Sequence, residues 1–184
     1  MPGATVVDVD DLRTTAGGTA SAARGDLRPP ASDGDERTTL LTCLRYLREA
    51  VIAKTAGLTD AAAREPGVPS GTSLLWLVKH LTAVEANWFE WAYAGGAGEP
   101  ADDEAPVGER ETARELVAAY RAAAERSDRI VAACEDLGRP GARSLRETPP
   151  PTLRWILTHM IEETARHAGH ADILRERLDG AVGR

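Results

Sequence analysis

An all-α four-helix bundle preceded by a disordered N-terminal tail is the fold class this sequence predicts. Three observations lead there. The apolar residues, 42% of the chain, are mostly Leu, Ala and Val, while aromatics make up only 4%, a composition that favours helices over strands. Four segments carry apolar residues at steps of three and four, the signature of one buried helix face. Each segment is bounded by capping residues or by Gly and Pro stops.

Residues 1–35 read as a tail, rich in Gly, Thr, Ala, Ser and Asp, with Pro29-Pro30 near its end and too little apolar surface to offset the entropy of ordering. Val6, Val7 and Val9 could form a short strand, but nothing pairs with it. Residues 36–180 form the domain. The first helix is expected over 36–56, with Leu40, Leu44, Leu47 and Val51 on one face and Gly57 as its stop. The second is expected as one α-helix over 73–94, with Thr72 or Ser73 as cap and an apolar stripe of Leu74, Leu77, Leu81, Val84, Trp88 and Trp91. A loop of Gly, Pro and acids follows over 95–110. At up to ~3.3 Å per residue it is long enough to cross the bundle, so the helices need not alternate up and down. Thr112-x-x-Glu115 is a capping-box signature for the third helix, which continues through Leu116, Tyr120, Ser127, Ile130, Val131 and Cys134 to Gly138. After Pro149-Pro150-Pro151 the fourth helix runs over 152–178. Faces this narrow cannot stand alone in water, and a bundle buries them.

The net charge of −7, with arginines scattered among acids, argues against a nucleic-acid module. No run of roughly 18 apolar residues predicts a membrane span, and the N-terminus lacks the apolar core of a secretion signal. The two cysteines, Cys43 and Cys134, lie in helical apolar patterns where a thiol behaves as a small hydrophobe. A cytoplasmic monomer or homodimer is the expectation.

The chemistry sits in the fourth helix. Its stripe of Leu153, Ile156, Met160, Leu174 and Leu178 is interrupted at Glu163, His167 and His170. At about 100° per residue, Glu163 and His167 differ by roughly 40° around the axis and face the bundle interior. A core-facing carboxylate must be paired, protonated or metal-bound. An arginine partner would satisfy Glu163 alone, but histidines four residues away and on the facing helix favour a cation. His80 lies midway along the second helix, on the face of Leu77, Val84 and Trp88. His80, Glu163 and His167 then form the two-histidine, one-carboxylate set found with catalytic zinc and with non-haem iron. Spacing alone also permits sets built on His167 with His170, or on His159 with Glu163. His159 and His170 are candidate proton shuttles. Arg154 and Arg166 are candidate anion-binding residues, and Trp76, Trp88 and Trp155 could line a pocket, although solvated arginines and core tryptophans are the commoner roles.

The stretches Ser73-Leu74-Leu75-Trp76-Leu77-Val78-Lys79-His80-Leu81 and Glu163-Thr164-Ala165-Arg166-His167-Ala168-Gly169-His170-Ala171-Asp172 resemble the DinB-like superfamily. Within it they are most similar to the actinobacterial branch that includes mycothiol-dependent enzymes. The resemblance covers residues 36–178. Many relatives carry three histidines, whereas the metal-binding domain of mycothiol-dependent maleylpyruvate isomerases uses His, Glu and His, which this chain matches at His80, Glu163 and His167. His170 falls where many relatives have Gln, so it would support a ligand rather than be one. The resemblance implies a four-helix bundle, one divalent metal, zinc by preference, and a low-molecular-weight thiol such as mycothiol as cosubstrate. The implied activity is thiol S-transfer to a small electrophile. The isomerase has a further C-terminal domain that this sequence does not contain, so that particular reaction is not implied. The alternatives are a non-catalytic metal- or ligand-binding stress protein and a non-haem iron enzyme.

Overall fold

The computed structural model describes residues 28–31 and 34–183. Nearly all of the expected tail, Val6, Val7 and Val9 included, lies outside the described residues.

Five helices account for the described chain: α1 (Glu36–Ala53), α2 (Asp60–Arg64), α3 (Leu74–Glu85), α4 (Ala113–Ala133) and α5 (Leu153–Asp179). The expected α-class is therefore observed, with four long helices and one short extra. That short helix, α2, was not expected. Thr59 caps it by accepting a bond from the Ala62 amide, a five-residue device too short to leave a periodic pattern. The other starts follow their capping chemistry. Asp35, Ser73 and Thr152 each accept a bond from the amide three residues on, and Thr112 and Glu115 form the full capping box, satisfying amides the helix cannot.

The second expected helix is not α-helical throughout. After Glu85 it passes into a π-helix over Ala86–Tyr93. The wider turn changes which residues face inward. Trp88, Phe89 and Ala92 are buried, whereas Trp91, expected on the apolar stripe, is half-buried at the surface, its indole nitrogen donating to the Gly98 carbonyl at 2.9 Å. The buried Asn87 faces the loop beyond Tyr93 and grips Ala101 with two bonds, donating to its carbonyl at 2.9 Å and accepting from its amide at 2.7 Å.

Ion pairs and ring contacts between helices fix the topology. Glu36 meets Arg154, and Lys54 meets Asp172, so α1 and α5 run parallel. Arg45 meets Asp128, and Glu49 meets Arg121, so α1 and α4 run antiparallel. His80 lies by Glu163, and Trp88 by His159, so α3 and α5 run antiparallel. The bundle is up-down-down-up, with α3 and α4 parallel. The segment joining them must therefore cross the length of the bundle, as the sequence allowed.

The core consists of three apolar clusters. At one end Leu44, Phe89, Val131, Leu153, Ile156 and Met160 pack together. At the other, Val51, Leu75, Val78, Leu81 and Tyr120 fill the centre, and Leu74, Leu77, Ala171 and Leu174 close α3 onto α5. Burying each large apolar side chain contributes about 1.5–3 kcal/mol before ordering costs. One buried charge pair crosses this core. Arg48 of α1 donates to Glu85 of α3 through Nε and Nη2, at 2.6 and 2.7 Å, and through Nη1 to Asp128 of α4 at 2.8 Å. No helix among the described residues is long and apolar enough to cross a membrane.

Candidate metal centre

His80, Glu163 and His167 come together where α3 faces α5, each offering one donor atom, all within 4.8 Å of one another. The placement follows from the helices. His80 is one turn past Leu77 and beside Leu81, both fully buried, so it points inward and is itself buried. Glu163 and His167 sit one turn apart on α5, flanking the buried Thr164. Glu163 Oε1 is the centre of the group, 3.3 Å from His80 Nε2 and 3.0 Å from His167 Nε2. The spacing had left two other sets open. Neither forms the cluster: His170 is exposed and meets only the far nitrogen of His167, and His159 packs against Trp88 and Trp155 instead.

The hydrogen-bond roles bear on what the cluster can hold. His80 Nδ1 lies 2.8 Å from the Asp103 carbonyl oxygen. A carbonyl only accepts, so Nδ1 carries the proton, and in neutral His80 a bare Nε2 lone pair faces the Glu163 carboxylate. Two acceptors at 3.3 Å repel unless a cation or a proton lies between them. A backbone carbonyl that fixes the outer nitrogen of a histidine while the inner one faces a carboxylate is the arrangement metal sites use. His167 Nδ1 meets His170 Nδ1 at 3.3 Å, a contact in which either imidazole can donate. The donor set thus fits one divalent ion bound by two imidazoles and one carboxylate, with room for a further ligand.

Electrostatics keep these groups ready for a cation. Burial raises the Glu163 carboxyl, but the facing His80 and His167 outweigh it and hold Glu163 below its ordinary value. Burial, reinforced by neighbouring His80, lowers His167 against the pull of Glu163. Both shifts favour a charged carboxylate and a neutral imidazole, the forms that bind metals.

The remaining candidates divide. Trp76 stacks on His80 at 4.9 Å between ring centroids and 17° between planes, which holds the imidazole plane. Arg166 pairs with Glu162 and lies 3.7 Å from the second Glu163 oxygen. A cleft of about 610 Å³ opens beside the cluster, reaching it at His80 and Glu163 and lined further by Trp88, Arg146, His159 and Arg166. Burial, with Arg146 adding to it, lowers His159 despite Glu163 and Glu162. Arg154 is outside this cleft. It lies at the first turn of α5 and is held by Glu36 at 2.6 and 3.1 Å. Sequence reasoning missed Arg146, which lies in the Pro-rich linker between α4 and α5, where no periodicity marks an inward position. It also missed the Asp103 carbonyl, which no side-chain pattern can reveal.

No curated protein shows significant similarity to the chain. Among solved structures, the crystal structure of a conserved protein from Enterococcus faecalis is similar, at 19% identity and a TM-score of 0.58, covering 79% of this chain and 98% of that one. Likeness at that identity speaks to the fold, and it agrees with the helical bundle. The mycothiol-S-transferase family matches residues 39–180, a span that holds all four long helices but the first three residues of α1, and the whole His80–Glu163–His167 cluster. The DinB-like resemblance read from the two histidine-bearing stretches is thereby borne out, and the chain belongs to the mycothiol-S-transferase family.

Proposed function

We propose that this protein is a metal-dependent S-transferase that joins a low-molecular-weight thiol, mycothiol, to a small electrophile, with zinc held by His80, Glu163 and His167. The observation that carries the metal is the His80–Glu163 pair, whose facing lone pairs a divalent cation would satisfy. Family membership supports the thiol. A zinc ion bound there supplies an open position at which a thiol sulfur is held as thiolate, the nucleophilic form.

The chain's own residues supply the rest. The Asp103 carbonyl and Trp76 orient His80, and His170 orients His167. The cleft along Trp88 and His159 gives a substrate a way in beside the reacting atoms. His159, lowered by burial, is neutral at physiological pH and can accept the proton that the thiol gives up. Arg166, tethered to Glu162, lies beside the second Glu163 oxygen and adds positive charge to the cleft.

Metal analysis of purified protein tests the first half. A single zinc per chain is expected, lost in His80→Ala, Glu163→Ala and His167→Ala and kept in His170→Ala. Retention in Glu163→Ala would overturn the ligand set, and iron in place of zinc would redirect the chemistry. Cobalt substitution tests the second half, because sulfur bound to cobalt absorbs strongly in the near ultraviolet. A spectrum unchanged by mycothiol, glutathione and bacillithiol alike would remove the transferase and leave a metal-binding protein.

A further inference from the structure

The cleft beside the cluster is lined by groups of both charges. Glu162 and Glu163 have Arg166 beside them. Arg146 reaches the cleft from the linker between α4 and α5. Its guanidinium sits over two indoles, 5.4 Å from the ring centroid of Trp155 and 5.7 Å from that of Trp88. His159 completes the wall, stacked on Trp155 at 5.0 Å and 26° and edge-on to Trp88 at 4.9 Å. Trp155 is 41% exposed, unusual for a large aromatic on the edge of a bundle core. Arg166, the cleft's other arginine, is held by Glu162, whereas Arg146 makes no ion pair among the described residues. A guanidinium lying over aromatic rings without an ion-pair partner has N–H donors to offer, and its fork matches a carboxylate with two parallel bonds.

We propose that Trp88, His159 and Arg146, backed by Trp155, form a binding site for an aromatic electrophile that carries a carboxylate. The ring lies along the wall, and the carboxylate docks on Arg146. With the carboxylate held on Arg146, the reactive carbon on the far side of the ring lies toward Glu163. The site stands on its own geometry. The reaction assigned to it rests on the S-transferase reading. In that reaction the thiolate attacks the ring carbon bearing a halide, the C–S bond forms, and the carbon–halogen bond breaks. The halide departs with the electron pair, and the thiol proton passes to His159 and on to solvent.

Binding is measured without thiol, using 3-nitrobenzoate and the neutral 3-nitrobenzamide, by quenching of tryptophan fluorescence. Wild-type protein is expected to bind the benzoate more tightly. Arg146→Gln should weaken the benzoate by about tenfold or more, the worth of a lost charge-assisted hydrogen bond, and leave the benzamide unchanged. Arg146→Lys should fall between, having charge without the fork. Equal weakening of both compounds would mean that Arg146 only props the wall, and would overturn the proposal. So would a benzoate affinity indifferent to Arg146→Gln, or no benzoate binding to wild type. Thiol transfer is followed separately with 4-chloro-3-nitrobenzoate and 4-chloro-3-nitrobenzamide. Arg146-dependent benzoate binding with neither chloride displaced would sink the S-transferase reading and leave the site standing.

Discussion

Replacing Glu85 by glutamine should destabilise the bundle more than any surface substitution, because Glu85 is fully buried and so is its partner Arg48, only 3% exposed. The pair makes two short bonds, and Asp128 supplies Arg48 with a third. Burial alone would lower the Arg48 guanidinium, but Glu85 and Asp128 outweigh it and hold it above its ordinary value. Removing one partner of a buried pair costs about 3–5 kcal/mol, since the remaining charge stays desolvated. Glutamine keeps the shape and one acceptor, and Asp128 still neutralises Arg48 from the partly exposed side, so the lower end, about 3 kcal/mol, is expected. At this chain length that lowers Tm by roughly 6–12 °C. Urea denaturation followed by circular dichroism checks it, with an unchanged m-value showing that the native state has not loosened. A loss below about 1 kcal/mol would refute the reasoning, because it would mean that water already reaches Arg48. A double variant, Arg48→Met with Glu85→Leu, should recover most of the loss, as apolar replacements of buried pairs do.

Three further outcomes are expected. Asn87→Ala should release Ala101 and with it the Asp103 carbonyl that fixes His80. Metal affinity should fall by about 10–100-fold, the usual cost of losing a group that orients a ligand, as measured by competition with a chelator. Acid should destabilise the metal-free protein. His159 and His167 are both lowered when folded, so the unfolded chain binds more protons below about pH 6.5 and stability falls there as pH drops. A Tm of apoprotein flat between about pH 7 and pH 5.5 would contradict this. Truncation after residue 27 should be neutral, whereas truncation through Asp35 should cost about 1 kcal/mol, because Asp35 accepts the Thr38 amide at 2.8 Å and caps α1. Equal melting of the two truncations would show that the cap contributes nothing.

Much of the site could be read from spacing, since side-chain direction in a helix follows from residue number. Glu163 and His167 had to share a face, and His80 had to point where Leu77 and Leu81 point. The same rule would have exposed the buried pair. Glu85 follows Leu81 and Val84 on the inward face, and Arg48 stands between Leu44 and Val51, so each was a core-facing charge of the kind that singled out Glu163. The π-helix was not legible. Ala86–Tyr93 has the composition of an α-helix, and nothing in propensity separates a bond to the fourth residue back from one to the fifth. Trp91 was accordingly placed inside, one step from where the wider turn puts it. Arg154 looked eligible as a basic residue on the site's helix, but it is nine residues, about 13 Å, from Glu163 along the axis, and Glu36 occupies it.

The crossing segment connects topology to chemistry. Because α3 and α4 are parallel, the chain must return along α3 after Tyr93, and it does so in steps that can be followed. Gly98 meets Trp91, Ala101 meets Asn87, Asp103 meets His80, and the Pro106 carbonyl accepts from Lys79 at 2.8 Å. Each contact lies further back along the π-helix and α3 than the last. An up-down-up-down bundle would need only a short turn here, and His80 would have faced solvent on its outer side with its tautomer free. The returning strap instead places a backbone carbonyl against Nδ1, which turns the Nε2 lone pair toward Glu163. The wide π-helical turn that aims Asn87 at Ala101 sets the register of that strap just before it reaches His80. The π-helix that continues α3 and the irregular loop therefore act together, and the geometry of the His80–Glu163–His167 cluster depends on residues outside it.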